Sequence, residues 1–534
     1  MEDEYIIVGE SNDSSPDIFG QSNFCEYISS RINGHGEKIF QIDGISGRSQ
    51  TYKDTFNQSK IIANSLLHLG VLPGETIAVS CENRLEYSNV MLASVFAGAV
   101  FTPINPTYSP DEIVHALNIS RPRVIFCSAF TYSNISASLP RLQGVFHVVA
   151  FDEVPPLKSK SLVKFNMLLQ NTPMENLYQT KDNEIAVILT SSGTTGLPKG
   201  VMLSYSNLKY FCRHSVNRSA LSLQASDVLL GLLPLYHGYG YGMMLASLQT
   251  GLKVVLLPKF EEKLFLSTIE KYKITRLFLV PPLMVFLSKH PLVAHYDLSS
   301  VHQIVCGAAP LSKEVIAEVS ARLSGVKVRQ GYGMTESSVV MTLMPPYFNK
   351  PDSVGRLSAG IKAKILDLET GKPLPRGQQG EIVVQGPCVM VGYCRDPEAT
   401  RQAVDAHGWL HTGDVGYVDS EGFFYIVDRI KELIKYKGYQ VAPAELESIL
   451  LGLTGVRDAA VIGQPDLEAG ELPVAYVVLQ PNSTLRETDI IKYVNGKVSP
   501  HKRLRGVRFV EELPRNPSGK ILRRLLRTAM KSKL

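Results

Sequence analysis

The sequence predicts an α/β protein with mixed or parallel sheets. Segments rich in β-branched and aliphatic residues, which have the pattern of buried strands, alternate with helical patterns. The clearest strands are predicted over 184–190, 253–257 and 276–280, and a helix is predicted over 261–271. At about 150 residues per domain, a length of 534 residues predicts several domains or subdomains.

The best candidate for a domain boundary follows the sequence Asp-Arg-Ile-Lys at residues 428–431. Short strands and glycine-rich turns precede it. A compact run follows it, with a helix predicted over 443–451 that a proline opens, and with strands predicted over 459–462 and 474–479. We therefore predict an N-terminal domain of residues 1–429 and a small C-terminal domain of residues 430–534.

Composition excludes several classes of protein. The net charge of +5 is small for this length and gives no reason to expect a nucleic-acid partner. The seven cysteines form no C-x-x-C pair, so neither a zinc site nor a redox pair is predicted, and their sparse, odd number suits a reducing compartment. The longest apolar stretch, residues 90–104, is well short of the ~20 residues that span a bilayer, so we expect no transmembrane segment.

The sequence ends in Ser532, Lys533 and Leu534. A terminal S-K-L is an address that the peroxisomal import receptor recognises, rather than a membrane anchor. We therefore expect this receptor as a partner and the peroxisome matrix as the location.

Residues 190–200, Thr-Ser-Ser-Gly-Thr-Thr-Gly-Leu-Pro-Lys-Gly, give the strongest local signal. They follow a predicted strand, and their hydroxyl and backbone N–H groups can face a single anion, with Lys199 adding a mobile positive charge. Gly200 follows Lys199, so this is not the G-x-x-x-x-G-K-[ST] loop. The segment predicts a site for polyphosphate rather than a surface turn.

Residues 330–336, Gln-Gly-Tyr-Gly-Met-Thr-Glu, give a second signal. The glycines permit close approach to a flat ligand, and Tyr332 can stack on a base. Thr335 and Glu336 offer oxygen ligands of the kind that Mg²⁺ prefers. On its own, this segment could also be a structural turn.

Residues 408–414, Gly-Trp-Leu-His-Thr-Gly-Asp, give a third signal. Asp414 can accept two hydrogen bonds from a ribose diol. The alternative is an Asx turn after Gly413. Trp409, the only tryptophan, is expected to pack rather than to recognise a ligand.

These three segments, in this order, closely resemble the adenylate-forming enzymes. Residues 425–440 resemble the hinge and thiolation segment of those enzymes, and residues 514–520 resemble their C-terminal lysine loop. The resemblance extends from about residue 40 to the C-terminus. Within the superfamily, residues 435–446 and the terminal S-K-L are typical of the branch that contains 4-coumarate–CoA ligases, beetle luciferases and the non-luminous insect relatives of those luciferases.

The resemblance implies a fold and an activity. The fold would be a large N-terminal domain of two α/β subdomains plus a small β-barrel, followed by a small mobile α+β domain. The activity would be that of an ATP-dependent acid–CoA ligase, which forms an acyl-adenylate and then acyl-CoA, AMP and pyrophosphate. ATP, coenzyme A and Mg²⁺ are the co-substrates and cofactor that it implies, with a small carboxylic acid as the other substrate.

The resemblance also assigns roles to individual residues. ATP and AMP would be bound by Ser191, Ser192, Gly193, Thr194, Thr195, Lys199, Ala309, Gln330, Gly331, Tyr332, Thr335, Asp414, Arg429, Lys431, Lys435, Gln440 and Lys520. Coenzyme A would be bound by Lys259, Lys437 and Gly438, and Mg²⁺ by Thr335 and Glu336. The acyl pocket would contain His237, Tyr239, Ala308, Gly333 and Val339. The catalytic residues would be Lys520, Lys435, His237, Thr335 and Glu336.

Two lysines would serve different half-reactions. Lys520 matches the residue that stabilises the negative charge developing while the carboxylate attacks the α-phosphorus and pyrophosphate leaves. For the transfer to the thiol, the small domain would rotate about a hinge near Lys431 and bring Lys435, Lys437 and Gly438 towards the nucleotide and coenzyme A.

The acyl substrate is the least constrained prediction. Val339 stands where beetle luciferases typically carry a hydroxyl, and Tyr236 stands where they often carry a second histidine beside His237. An apolar residue at 339 favours an aliphatic chain, so we expect medium- or long-chain fatty acids. A luciferase and a hydroxycinnamate–CoA ligase are the alternatives. A catalytically silent nucleotide-binding protein is disfavoured, because the lysines and carboxylates named above are intact.

Overall fold

The computed structural model describes residues 5–9, 18–157, 161–191, 198–217, 219–437, 439–466, 468–516 and 519–531. Several predicted functional residues lie outside these ranges: Ser192, Gly193, Thr194, Thr195, Gly438, Ser532, Lys533 and Leu534.

The strands of the described residues, in chain order, are β1 (Ile7–Val8), β2 (Ile39–Asp43), β3 (Ser49–Thr51), β4 (Thr76–Ser80), β5 (Val100–Ile104), β6 (Val124–Cys127), β7 (His147–Ala150), β8 (Ser161–Lys164), β9 (Ile185–Ser191), β10 (Lys199–Ser204), β11 (Val228–Gly231), β12 (Lys253–Leu256), β13 (Arg276–Leu279), β14 (Gln303–Cys306), β15 (Lys327–Tyr332), β16 (Thr342–Leu343), β17 (Gly355–Leu357), β18 (Lys362–Leu366), β19 (Gly380–Gln385), β20 (Gly392–Tyr393), β21 (Leu410–Val418), β22 (Phe423–Arg429), β23 (Ile434–Tyr436), β24 (Tyr439–Val441), β25 (Val456–Asp466), β26 (Gly470–Leu479) and β27 (Gly506–Phe509).

The α-helices, in chain order, are α1 (Phe24–His35), α2 (Tyr52–His68), α3 (Leu85–Ala97), α4 (Pro110–Ser120), α5 (Ala129–Ser138), α6 (Phe165–Leu168), α7 (Tyr205–Val216), α8 (Gly238–Thr250), α9 (Glu262–Tyr272), α10 (Pro281–Lys289), α11 (Lys313–Arg322), α12 (Pro397–Ala403), α13 (Pro443–Leu451), α14 (Glu487–Asn495) and α15 (Arg523–Lys531).

Two large sheets form the N-terminal part of the molecule. One has fourteen strands in the order β1-β18-β19-β21-β22-β17-β16-β15-β14-β13-β11-β12-β2-β3, and the other has eight in the order β20-β10-β9-β5-β4-β6-β7-β8. The central pairs of both sheets are parallel, as in β13 with β14 and β4 with β5. Strand β4 is buried throughout, because helices cover both faces of a parallel sheet.

A third, smaller sheet forms in the C-terminal part, in the order β24-β23-β26-β25 with β27 parallel to β26. Its own core includes Ile434, Leu446, Val461 and Ile490, each at most 1% exposed. A separate apolar contact of Val415, Leu433 and Ala442 joins this part to the antiparallel strands before it. The small part therefore has an independent core and a limited contact with the rest.

The predicted α/β class and the large-plus-small arrangement are confirmed, and the predicted strands and helices appear within a few residues of their expected bounds. The helix over 443–451 begins and ends where it was predicted. The small β-barrel is not confirmed. The antiparallel strands β16 to β19, β21 and β22, with β1, continue the fourteen-stranded sheet from β15, and the pairings among the described residues give a strand order with two ends rather than a ring.

The tryptophan packs as the sequence predicts, and most of the cysteines are buried as well. All seven cysteines are free thiols, and all except Cys394 are buried. Trp409 is 7% exposed, and its ring lies 4.0 Å from the Lys364 ammonium. Over the part of the chain that the structure describes, no helix has the length and apolar character needed to cross a membrane.

Candidate active site

The candidate site lies at the carboxyl ends of the parallel strands β13, β14 and β15. In open α/β sheets, ligands bind in the crevice outside these strand ends. The chain leaves β14 through Gly307, Ala308 and Ala309, and a Cβ atom on Gly307 would lie only 3.2 Å from the carbonyl oxygen of Gly331 on β15. Two of the segments predicted to line the adenylate are therefore adjacent.

Asp414 is the centre of a buried polar cluster. The Tyr332 hydroxyl donates a hydrogen bond to Asp414 Oδ2 at 2.7 Å, and Arg429 Nε lies 3.4 Å from Asp414 Oδ1. Burial raises the pKa of Asp414, and the Arg429 charge opposes that rise. The structure thus brings Tyr332, Asp414 and Arg429 together, as the sequence predicts for a ribose and base site.

Glu336 lies at the centre of a second polar cluster, and this residue is only 3% exposed. Tyr393 donates from its hydroxyl to Glu336 Oε1 at 3.0 Å, and the ammonium of Lys199 lies 4.8 Å from the centre of the Tyr393 ring. Tyr393 therefore connects the carboxylate predicted to hold Mg²⁺ with the lysine predicted to hold phosphate.

His115 and Tyr393 are contacts that the sequence reasoning missed. The His115 ring Nε2 lies 2.8 Å from the carbonyl oxygen of Pro198, next to Lys199, so α4 holds the end of the phosphate segment. Neither residue falls in a recognisable motif, and only the folded pairing of β20 with β10 brings Tyr393 to the site.

Lys520 reaches the cluster from the C-terminal part of the chain. Its backbone N–H donates to Asn516 Oδ1 at 2.9 Å, and Arg515, which pairs with Asp458 at 2.8 Å, donates to the Gly519 carbonyl. Burial lowers the pKa of Lys520 to about 8, with the Arg429 charge acting in the same direction and Asp414 and Glu336 opposing it. The Lys520 ammonium is therefore within electrostatic range of both predicted carboxylates.

Gly519 explains how this loop approaches the strand ends so closely. Its φ of +82° is a left-handed conformation that favours glycine, and a Cβ there would lie 3.1 Å from Val280 Cγ2, at the end of β13. A side chain at 519 would strain this backbone conformation and would require Val280 or the loop to move by a few tenths of an ångström.

His237 lies at the start of α8, where its Nδ1 accepts a hydrogen bond from the Tyr239 N–H at 3.3 Å. Burial lowers the pKa of His237 to about 4, with the Lys520 charge as the second cause, so the ring is neutral near pH 7. A neutral imidazole near Lys520 can donate a hydrogen bond to a carboxylate without a charge of its own.

The acyl side is apolar and tightly built. A Cβ atom placed on Gly238 would lie 3.7 Å from both Leu189 Cδ1 and Val339 Cγ2 and 3.8 Å from Thr335 Oγ1, so these residues surround one point. Gly333 has no room for a side chain, because its Cβ would lie 2.0 Å from the Val339 carbonyl oxygen. Val339 itself has a φ of +83°, which is strained for a β-branched residue and holds its side chain in a fixed direction.

Tyr239 and Ala308 complete this side. Tyr239 donates from its hydroxyl to the Val305 carbonyl at 3.1 Å, and its ring meets Phe278 edge to face. Ala308 has a φ of +73°. The predicted acyl-pocket residues therefore all lie on elements that meet at the same strand ends.

Other predicted residues lie apart from this cluster in the present arrangement. Lys435 and Gln440 line a different groove of about 560 Å³, together with Asp367, Glu381 and His411. Lys437 extends over the Tyr436 ring at 5.9 Å, and Lys259 and Lys431 are exposed. Gln330 donates from its side-chain amide to the Pro351 carbonyl. The functional roles of these residues stay predictions.

A crevice at the ends of parallel strands, with buried carboxylates and with a lysine delivered by a separate small part, is the arrangement expected of a nucleotide-dependent enzyme that activates carboxylates. Comparison with known families is consistent with this. The family model for the AMP-binding enzyme matches residues 28–394, and that for the AMP-binding enzyme C-terminal domain matches residues 445–520. The chain belongs to the AMP-binding enzyme family, in the adenylate-forming superfamily.

Relatives place the chain within one branch of that superfamily. It is 39% identical over 500 residues to a luciferin 4-monooxygenase of Nipponoluciola cruciata, covering 92% of this chain and 91% of the relative. It is 38% identical over 518 residues to 4-coumarate–CoA ligase 1 of Petroselinum crispum, covering 95% and 94%. The predicted superfamily, its branch and the acid–thiol ligase type of enzyme are thereby confirmed.

Solved structures also resemble this chain in fold over nearly its whole length. The anthranilate CoA ligase AuaEII in complex with anthranoyl-AMP superposes with a TM-score of 0.89 at 27% identity, covering 96% of this chain and 98% of that one. The domain limits at residues 429 and 430 and the individual site residues remain predictions.

Proposed function

We propose that the protein is an ATP-dependent acid–CoA ligase that acts on medium- or long-chain fatty acids in the peroxisome matrix. The observation that carries the ligase proposal is the approach of Gly519, next to Lys520, to Val280 at the end of β13, which brings Lys520 within electrostatic range of Asp414, Glu336 and His237. This is the arrangement that adenylation requires, because a cation must stand where negative charge develops.

In the first step, a carboxylate oxygen of the acid attacks the α-phosphorus of ATP and pyrophosphate leaves. Lys520 stabilises the charge that builds on the transferred group, and Asp414 holds the ribose. Neutral His237 donates towards the carboxylate or the acyl carbonyl. Lys199, fixed beside Tyr393, binds the departing phosphates.

The residues fit magnesium carried by the nucleotide rather than a closed protein cage. Among the described residues, no group of three or more His, Cys, Asp or Glu side chains could hold an ion. Glu336 offers one carboxylate, which suits Mg²⁺ because that ion usually takes one or two carboxylates plus substrate phosphates and water. Bound Mg²⁺ would neutralise phosphate charge, with Thr335 and Glu336 as its protein contacts.

In the second step, the thiol of coenzyme A attacks the acyl carbonyl and AMP leaves. Lys435 lies away from the cluster in the present arrangement, so this step requires rotation of the small part about Lys431. Lys435, Lys437 and Gly438 would then face the nucleotide and coenzyme A, with Lys259 as a further contact for coenzyme A.

The fatty acid proposal is supported by the apolar wall of Val339, Leu189 and the Gly238 backbone. A hydrocarbon chain needs no hydrogen-bonding partner there. The peroxisomal proposal is supported by the terminal Ser532-Lys533-Leu534, which the import receptor would recognise.

A luciferase is the second candidate, favoured by the 39% identity to a luciferin 4-monooxygenase. It would share the adenylation step and then use O₂ in place of coenzyme A. Val339 and Tyr236, which replace polar groups typical of beetle luciferases, count against it.

Release of pyrophosphate, measured over a panel of fatty acids and hydroxycinnamates with and without coenzyme A, tests the proposal. Release with fatty acids and formation of acyl-CoA that depends on coenzyme A are expected. Absence of any acyl-CoA across the fatty acids would overturn it, and light emission with luciferin, ATP and Mg²⁺ would favour the second candidate.

A further inference from the structure

A second cavity lies away from the strand ends, between the C-terminal end of α7 and strands β16 to β18. Its volume is about 700 Å³, within the range of small-molecule sites. None of the residues predicted to bind nucleotide, coenzyme A or the acyl chain lines it. Tyr210, one of its lining residues, donates to the Val340 carbonyl at 3.3 Å, so this side chain lies between the cavity and the segment that carries Val339.

The lining combines positive charge with apolar surface. Arg213, Arg356 and Arg376 all line it. Its single lining carboxylate among the described residues is Glu421, which already forms an ion pair with Lys350. Much of the remaining wall is apolar and includes Leu343, Pro345 and Phe348.

Two polar side chains in the wall have buried atoms without a hydrogen-bond partner. His214 is 6% exposed, and its Nε2 has none. The guanidinium of Arg356 lies over the rings of Phe348 and Phe423, at 4.7 and 4.5 Å, and its Nε also has none. A buried polar atom left unpaired is costly, and each of these two atoms belongs to a side chain that lines the cavity.

A further positive group lies directly behind this wall. Arg329 is 2% exposed and donates to the carbonyls of Met344 and Ala220 at 2.6 and 2.9 Å, while its Nη1 has no partner. Burial lowers the pKa of Arg329 to about 10, and the charge of Arg329 helps to keep His214 neutral. A buried guanidinium without a carboxylate is unfavourable unless an anion compensates it.

We propose that this cavity is a second ligand site, separate from the catalytic one, that binds an anionic amphiphile. Its carboxylate or phosphate head lies against Arg356 and His214, and its apolar body lies along Leu343, Pro345 and Phe348. Arg213 and Arg376 add long-range attraction at the cavity wall. A fatty carboxylate has this chemistry, and so has a phosphorylated lipid.

Isothermal titration of the full-length protein with decanoate tests the proposal, with decanol and inorganic phosphate as probes of the body and head alone. Arg356→Met removes the charge and keeps the length of the side chain. Ser219→Trp fills the cavity from an exposed lining position and leaves Arg356 in place. Arg48→Met is the matched control, because Arg48 is an exposed arginine that pairs with Glu86 elsewhere. Thermal melting establishes that each variant is folded.

We expect a decanoate-binding component that both cavity variants weaken by about tenfold or more and that the control retains. Decanol should bind only weakly at this site, because decanol carries no charge. Equal decanoate binding in wild type and both cavity variants would overturn the proposal. Phosphate binding as tight as decanoate binding would overturn the amphiphile assignment.

The result is independent of the proposed catalytic function. Arg356→Met should retain the acyl-CoA-forming activity of the wild type, and a wild type that forms no acyl-CoA would still show the binding component. Failure of one proposal is therefore distinguishable from failure of the other.

Discussion

The nucleotide side and the acyl side of the candidate site are built by different means. On the nucleotide side, charged and hydroxyl groups hold one another, as Tyr332, Asp414 and Arg429 do. On the acyl side, backbone conformation and close packing fix the shape, as at Gly333 and Val339. Under the proposed function, the first group binds ATP whichever acid is used, whereas the second can differ with the acid. The comparison therefore predicts large effects of substitution on the nucleotide side and selective, smaller ones on the acyl side.

Of the substitutions on the nucleotide side, Lys520→Ala should reduce the rate of adenylation most. We expect adenylation to slow about 10²–10³-fold, as when one preorganised group that stabilises developing charge is lost. Pyrophosphate exchange with decanoate measures this step. Lys497→Ala, at an exposed lysine that contacts Tyr493, is the control and should leave the rate unchanged. Transfer from supplied decanoyl-adenylate to coenzyme A should survive in Lys520→Ala, and an equal loss of both steps would contradict the assignment.

The pH dependence of kcat/KM for adenylation should reflect the ionisation of Lys520. Its pKa is lowered to about 8, so the free enzyme holds the ammonium below that pH and loses it above. We expect kcat/KM for adenylation to fall about tenfold per pH unit once pH exceeds this value. Lys520→Arg should move the fall to higher pH, since a guanidinium stays charged. A fall at the same pH in both proteins would assign the titration to another group.

Tyr393→Phe should weaken the nucleotide side moderately. The change removes the hydroxyl that donates to Glu336 and keeps the ring under Lys199. A typical hydrogen bond is worth about 0.5–1.5 kcal/mol, so we expect a loss of about tenfold or less in kcat/KM for ATP at limiting Mg²⁺. Tyr425→Phe, which removes a hydroxyl bonded to Asp419 outside the site, is the matched control. No difference between the two variants would mean that Tyr393 only packs.

Val339→Ser should produce the smallest change and the most selective one. It replaces apolar surface by a hydroxyl without touching the nucleotide cluster, so the preference for decanoate over a hydroxycinnamate should fall about fivefold. The ratio of the two kcat/KM values, measured by acyl-CoA formation, gives the answer. A uniform loss with both acids would show that strain at residue 339, and not recognition of the chain, dominates.

The proximity of Tyr332 and Asp414 can be anticipated from the sequence because the polar groups of the nucleotide side lie in short contiguous segments. Residues 330–336 and 408–414 each carry their own glycines and carboxylate, and the fold brings Tyr332 and Asp414 into direct contact. The α/β class follows from strand and helix periodicity for the same reason, since each element encodes its own pattern.

Contacts that depend on distant pairing escape such reasoning. Tyr393 reaches Glu336 only because β20 pairs with β10, and His115 reaches Pro198 only because α4 packs beside the phosphate segment. The expected β-barrel is likewise a matter of how strands close on one another. Local composition does not encode that closure, and the strands instead extend the large sheet.

The contact between Gly519 and Val280 has a consequence for the turnover rate of the enzyme. Since a Cβ at residue 519 would lie 3.1 Å from Val280 Cγ2, one of the two segments would have to move by a few tenths of an ångström to accept an alanine, and we expect the small part to dock less stably over the strand ends. Gly519→Ala would therefore shorten the lifetime of the docked arrangement and leave every reacting group intact. Under the proposed two-step cycle, turnover of such a variant would then be limited by docking of the small part. The absence of a side chain at residue 519 would therefore help to set the rate of the first step.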